Sequence, residues 1–166
     1  MSSIERLLAN NDQYARSFTQ GDLPMPPSAH VAVVACMDAR LDVYGLLGLE
    51  LGQAHVIRNA GGVLTDDVIR SLIISQRLLG TRSIVLIHHT DCGMLTFNDE
   101  QVLDQIEAET GLRPSFPLHA FPHLEDDVRQ AMASLRENPF LPHRDDIRGF
   151  VYDVKTGRLK EVLLAG

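Results

Sequence analysis

Only two cysteines, Cys36 and Cys92, occur in the 166 residues. That is too few for a disulfide scaffold, and thiols in a reducing compartment stay free. Basic charge is scarce as well. Fifteen Lys and Arg stand against 22 Asp and Glu, a formal net charge of -7, so nucleic acid gains no electrostatic hold and is not an expected partner. No apolar run is long enough to span a bilayer, so no membrane partner is expected. The opening MSSIERLLANNDQYARSF lacks a basic segment followed by a hydrophobic one, so it does not read as a secretory signal, and a cytoplasmic location is expected. Repeats, low-complexity tracts and a second-domain boundary are also missing. Residues 1–166 therefore read as one domain.

What is present suits a packed core: 45% of the residues are hydrophobic. Residues 3–18 read as an amphipathic helix, with Ile4, Leu7, Leu8 and Tyr14 at helical spacing. The arm that follows, GDLPMPPSAH, cannot be helical because of Pro24, Pro26 and Pro27. Three short runs rich in β-branched residues then read as buried strands: 31–35, 54–59 and 83–89. Between the last two lies a helix with Thr65 or Asp66 as N-cap and Gly80 as C-cap, its face formed by Val68, Leu72, Ile73 and Leu79. Strand–helix–strand units with such strands predict an α/β fold, a mainly parallel central sheet covered by helices. Further helices are predicted over 98–110 and 124–136, with an ordered Pro- and aromatic-rich loop over 111–123 between them. A C-terminal hairpin turns at Lys155-Thr156-Gly157.

The chemistry-bearing residues fall where such a sheet places its site. The first strand runs into Cys36-Met37-Asp38-Ala39-Arg40 and the third into His88-His89-Thr90-Asp91-Cys92-Gly93. Ligands of open α/β sheets bind outside the carboxyl ends of the strands. Two thiolates and one imidazole suit zinc, and three protein ligands leave a fourth position for water, the arrangement of a catalytic site. Cobalt or iron would fit the same donors, but thiolates favour zinc. Adjacent strand residues face opposite sides, so His89 rather than His88 is expected on the metal, and His88 in the opposite layer. Asp38 and Arg40 admit three readings: a salt bridge that pins the loop, a carboxylate that handles the proton of the metal-activated water while Arg40 holds it, or Asp38 as a fourth ligand closing the site. In the 55–63 segment, Gly61 and Gly62 allow close approach to a small substrate and Val63 offers an apolar wall; an ordinary strand-to-helix turn is the plainer reading. His30, His55, His119, His123 and His143 are candidate proton carriers, or simply scattered histidines.

Taken together, Cys36-x-Asp38-x-Arg40 and His89-x-x-Cys92-Gly93, with Arg58-Asn59-Ala60-Gly61 between them, resemble the β-class carbonic anhydrases. The resemblance covers most of residues 30–95, and the closing GFVYDVKTGRL is similar to the family's C-terminal strand region. It implies Zn2+ on Cys36, His89 and Cys92, and Asp38 with Arg40 as the catalytic pair. Gly61, Gly62, Val63 and Gly93 are the expected substrate-binding residues. Further implied are a homodimer or dimer of dimers, active sites near the subunit interface, and the helix and arm of residues 1–29 lying on the partner. Ala39 stands where the family often has Ser, and the plant-type glutamine near the substrate has no counterpart. These departures resemble a compact bacterial and fungal subgroup that also contains carbonyl sulfide hydrolases. The expected reaction is hydration of CO2 to bicarbonate and a proton, with carbonyl sulfide as the alternative substrate. A non-catalytic zinc protein or a thiol sensor forming a Cys36–Cys92 disulfide is the reading from another class.

Overall fold

The computed structural model describes residues 2–164. Five strands form one sheet: β1 (Val31–Cys36), β2 (Ala54–Asn59), β3 (Ser83–His89), β4 (Ile147–Tyr152) and β5 (Leu159–Val162). Their order is β2-β1-β3-β4-β5; β1 pairs in parallel with β2 and β3, β3 in parallel with β4, and β5 runs antiparallel to β4. The expected mainly parallel sheet with a C-terminal hairpin is therefore present. Central β1 is buried from Ala32 to Cys36, whereas β2, at the sheet edge, is only half-buried along most of its length.

Helices α3 (Asp66–Arg77) and α5 (Leu124–Glu137) cover one face of the sheet. There Ala32, Val34, Ile84 and Leu86 meet Val68, Leu72, Val128, Met132 and Leu135. Each Val, Leu, Ile or Met among them contributes about 1.5–3 kcal/mol on full burial. On the opposite face Val33, Ala35 and Ile87 join Leu41, Val43, Met94 and Phe121 around the two cysteines. α3 begins at its Thr65 cap, whose hydroxyl accepts from Val68 N, with Asp66 and Asp67 complementing the helix dipole. Its far end departs from expectation: the helix stops at Arg77 with Leu78 as C-cap, and Gly80 makes a left-handed turn two residues later. A short helix that the sequence did not announce, α2 (Val43–Leu47), is capped by Asp42 and ends at left-handed Gly48. α4 spans Asp99–Thr110 after an Asn98 cap.

The N-terminal helix α1 (Ser3–Ser17) forms as expected and opens with a Ser2–Glu5 capping box. None of its residues is buried, and Ile4, Leu7, Leu8 and Tyr14 are all more than half exposed. Met1 of the predicted 1–29 arm lies outside the described residues. No helix is long and apolar enough to cross a membrane, among the described residues.

Candidate metal centre

Neighbouring β1 and β3 end at the same level, with Ala35 opposite Ile87, so the segments leaving them lie side by side. Cys36 ends β1. His89 ends β3, and Cys92 follows after a turn in which Asp91 takes a left-handed backbone, φ +55°. The Sγ atoms of Cys36 and Cys92 and a ring nitrogen of His89 all lie within 4.8 Å of one another, and all three residues are buried.

The His89 ring is fixed for one task. Its Nδ1–H donates to the Thr90 carbonyl at 2.8 Å, which leaves the Nε2 lone pair free. Nε2 is buried and has no hydrogen-bond partner, although it faces the cysteine sulfurs. A buried acceptor with no donor is costly unless something absent from the polypeptide satisfies it. A cation does so, and two sulfurs with one imidazole nitrogen are the donor set of a zinc site with one position left open. Burial pushes both thiols up. At Cys36 the N–H groups of Asp38 and Gly61, together with the His89 ring when that ring is protonated, outweigh it and bring the thiol down to about 7. At Cys92 burial prevails and, with the Cys36 charge nearby, holds the thiol at about 11.

His88 turns to the other layer. Its Nε2–H donates to Asp127 Oδ2 of α5 at 2.7 Å, while its ring also stacks on Phe121 of the metal-side cluster with centroids 5.0 Å apart. The alternation along β3 thus separates the histidine pair, as the strand geometry requires.

Asp38 stands beside the centre, its Oδ2 3.6 Å from His89 Nε2. Arg40 grips it on both oxygens: Nε and the backbone N reach Oδ1 at 3.0 and 2.8 Å, and Nη2 reaches Oδ2 at 2.9 Å. These hydrogen bonds hold the Asp38 carboxyl far below the usual carboxylate range and raise the guanidinium above its usual value. Arg40 Nη1 also donates to Asp91 Oδ2 at 2.8 Å, and Nη2 to the Asp91 carbonyl at 3.0 Å. Arg58, from β2, fixes the loop from beneath by donating to the carbonyls of Cys36 and Asp38 at 3.0 and 2.8 Å. These Asp91 and Arg58 contacts join residues far apart in sequence, which no local pattern signals.

A cavity of about 430 Å³ opens onto the three donors and Asp38. Gly61, Gly93, Thr96 and the apolar side chains of Met37, Ala60, Met94 and Phe97 form its other walls. Gly62 and Val63 do not line it. A Cβ on Gly62 would lie 2.8 Å from Cys36 N, so that glycine serves the joint between strands. Val63 is buried behind the centre and borders a separate hollow of about 230 Å³ shared with His119 and Asp127. The side chain of Asn59 staples the intervening turn, donating to the Val63 carbonyl at 2.9 Å and accepting from its N–H at 3.0 Å. None of His30, His55, His119, His123 and His143 lines the metal cavity, and His55 is bound to Ser75 Oγ at 2.7 Å.

Comparison with known proteins agrees with this geometry. The carbonic anhydrase family pattern matches residues 31–159. Beta-carbonic anhydrase 1 of Mycobacterium tuberculosis is 59% identical over 162 residues, covering 98% of this chain and 99% of the relative. A carbon disulfide hydrolase of Acidianus is 31% identical over 182 residues, covering 95% and 88%. The crystal structure of carbonic anhydrase from Streptococcus mutans superposes with a TM-score of 0.92 at 43% identity, covering 98% and 99%. Zinc is the metal of this enzyme class and hydration of CO2 is its activity, and the chain belongs to the β-class carbonic anhydrases.

Proposed function

We propose that this chain hydrates carbon dioxide reversibly to bicarbonate and a proton, with Cys36, His89 and Cys92 holding the zinc and Asp38 and Arg40 completing the site. The observation that carries the reading is the bare, buried Nε2 of His89 facing two sulfurs, with an ionised carboxylate 3.6 Å away. Zinc, when bound, supplies the Lewis acidity that makes water a nucleophile near neutral pH. The two thiolates offset the cation's formal charge, so activation is weaker than with three imidazoles, where the water ionises near a pH of about 7. Turnover therefore rises toward alkaline pH.

Asp38 serves as a hydrogen-bond acceptor rather than a proton store, because Arg40 keeps its carboxyl ionised. Its Oδ2 would accept a hydrogen bond from the attacking water and so orient it. Apolar Met94 and Phe97 line the cavity and suit an uncharged linear substrate. Gly93 leaves open space beside the cavity, whereas the absent Cβ of Gly61 makes way for Met94, Phe121 and Val63. The released proton passes to buffer.

The apolar face of α1, unburied in its own chain, supports a homodimer or dimer of dimers in which that helix lies on a second copy. Two unpaired thiols support a reducing, cytoplasmic setting.

A second reading has a specific observation behind it. Relatives of about one-third identity are carbon disulfide hydrolases, so a sulfur-bearing substrate of the same linear shape, carbon disulfide or carbonyl sulfide, is the alternative. Stopped-flow hydration of CO2 from near-neutral to alkaline pH, run beside sulfide release from both sulfur substrates, separates them. Fast CO2 turnover that climbs with pH supports the proposal. Sulfide release with negligible CO2 turnover moves the assignment to a hydrolase.

A further inference from the structure

Asp91 is one residue from Cys92, in the turn that leaves β3, and its backbone is left-handed at φ +55°. Outside glycine this conformation is uncommon and persists where the surroundings hold it. The turn aims two acceptors at one target: Asp91 Oδ2 lies 2.8 Å from Arg40 Nη1, and the Asp91 carbonyl 3.0 Å from Arg40 Nη2. The remaining edge of the same guanidinium grips Asp38 through Nε at 3.0 Å and Nη2 at 2.9 Å. Asp38 Oδ2 is only 3.6 Å from the donor nitrogen of His89. A cation held by Cys36, His89 and Cys92 would attract a carboxylate so placed as a further ligand. Arg40 competes with that cation for the carboxylate, and Asp91 is the group that holds Arg40 from the side away from Asp38.

We propose that Asp91 is a positioning residue: by holding the Arg40 guanidinium over Asp38, it keeps the Asp38 carboxylate out of the fourth coordination position and so keeps the site open. The inference rests on the zinc reading given above. Its chemistry needs no bond made or broken beyond exchange of hydrogen bonds and one ligand. Releasing Arg40 from Asp91 weakens its hold on Asp38, and the population shifts toward a site closed by Asp38.

The test uses the full-length protein loaded with Co(II), whose visible absorption reports the ligands, and azide as a probe that competes for the open position. Asp91→Gly suits the left-handed backbone and removes only the side-chain acceptor; Asp91→Asn keeps the shape and an acceptor oxygen but not the charge. We expect Asp91→Gly to weaken azide binding about two- to five-fold, the range set by one exposed ion pair, with Asp91→Asn between it and the unsubstituted protein. In an Asp38→Asn background the same Asp91→Gly change should leave azide affinity unaltered, because no carboxylate remains to compete. Unchanged affinity in the first background, or an equal change in both, overturns the positioning role. Failure of the unsubstituted protein to take up Co(II) at all overturns the zinc reading instead.

Discussion

Replacing Gly62 with Ala probes the joint on which the whole site depends. Gly62 has φ +64°, where an L-residue costs about 1–2 kcal/mol. An added Cβ would also sit 2.8 Å from Cys36 N, 2.9 Å from the Ala35 carbonyl carbon and 3.1 Å from Ile87 O. All three are backbone atoms of paired strands β1 and β3, so no rotamer change relieves the clash. Overpacking of this kind typically costs about 1–3 kcal/mol, for a sum of about 2–5 kcal/mol. In a domain of this size that lowers Tm by about 4–20 °C. Gly48 provides the control. It has the same φ of +64°, and nothing lies within 4 Å of its added Cβ, so Gly48→Ala carries the backbone cost alone. Thermal unfolding of both variants, with a zinc-affinity titration on each, isolates the close approach. We expect Gly62→Ala to be the less stable of the two and to bind zinc more weakly, because the displaced atoms belong to Cys36 and its neighbour. Equal destabilisation, or unaltered zinc affinity in Gly62→Ala, would mean that the close approach at Gly62 does not hold Cys36 in place.

The remaining expectations concern single residues. Cys92→Ser, which removes a thiolate donor, should leave purified protein with well under one zinc per chain by elemental analysis. His88→Gln should retain a full zinc complement, because His88 faces Asp127 in the other layer; zinc loss there would reassign the ligand. Asp38→Asn should keep the metal while lowering CO2 turnover about 10–10²-fold in stopped flow, the usual cost of losing a group that orients the reacting centre. Partial burial would raise the Asp99 carboxyl, but the N–H groups of Ala120, His119 and Leu118 outweigh it and depress its folded pKa. Its stabilisation is therefore present above the unfolded value of about 3.9 and is lost as pH falls through the folded one. Urea midpoints measured through that acid range should fall less steeply for Asp99→Asn than for the unsubstituted protein.

The parts of the fold legible in the sequence are those whose signal is local. β1 and β3 read as β-branched apolar runs because both their faces are buried, and Thr65 marked a helix start because capping is a two-to-three-residue event. The metal donors were legible because strand ends of an α/β sheet are where sites form and because alternation along β3 separates His88 from His89. Non-local features were not. α2 is five residues long and carries no periodicity, so its caps are its only signature. Met37, Met94 and Phe97 enter the cavity through tertiary packing, and in sequence they are ordinary apolar residues. The Arg40–Asp91 contact joins positions 51 residues apart, and the Asp99 carboxylate gathers N–H groups from about 20 residues away. The Gly61-Gly62 pair read as room for a small substrate, but the atoms that approach these glycines are the side chains of Met94 and Phe121 at Gly61 and the backbones of β1 and β3 at Gly62.

The central claim is that a zinc held by Cys36, His89 and Cys92 hydrates CO2. The most direct measurement quantifies zinc and stopped-flow CO2 hydration on the same samples: protein as purified, protein stripped by a chelator, and stripped protein with zinc restored. One zinc per chain and rapid hydration are expected, with loss of both on stripping and recovery of both in proportion. Full zinc occupancy without hydration, or hydration that survives removal of the metal, would contradict it.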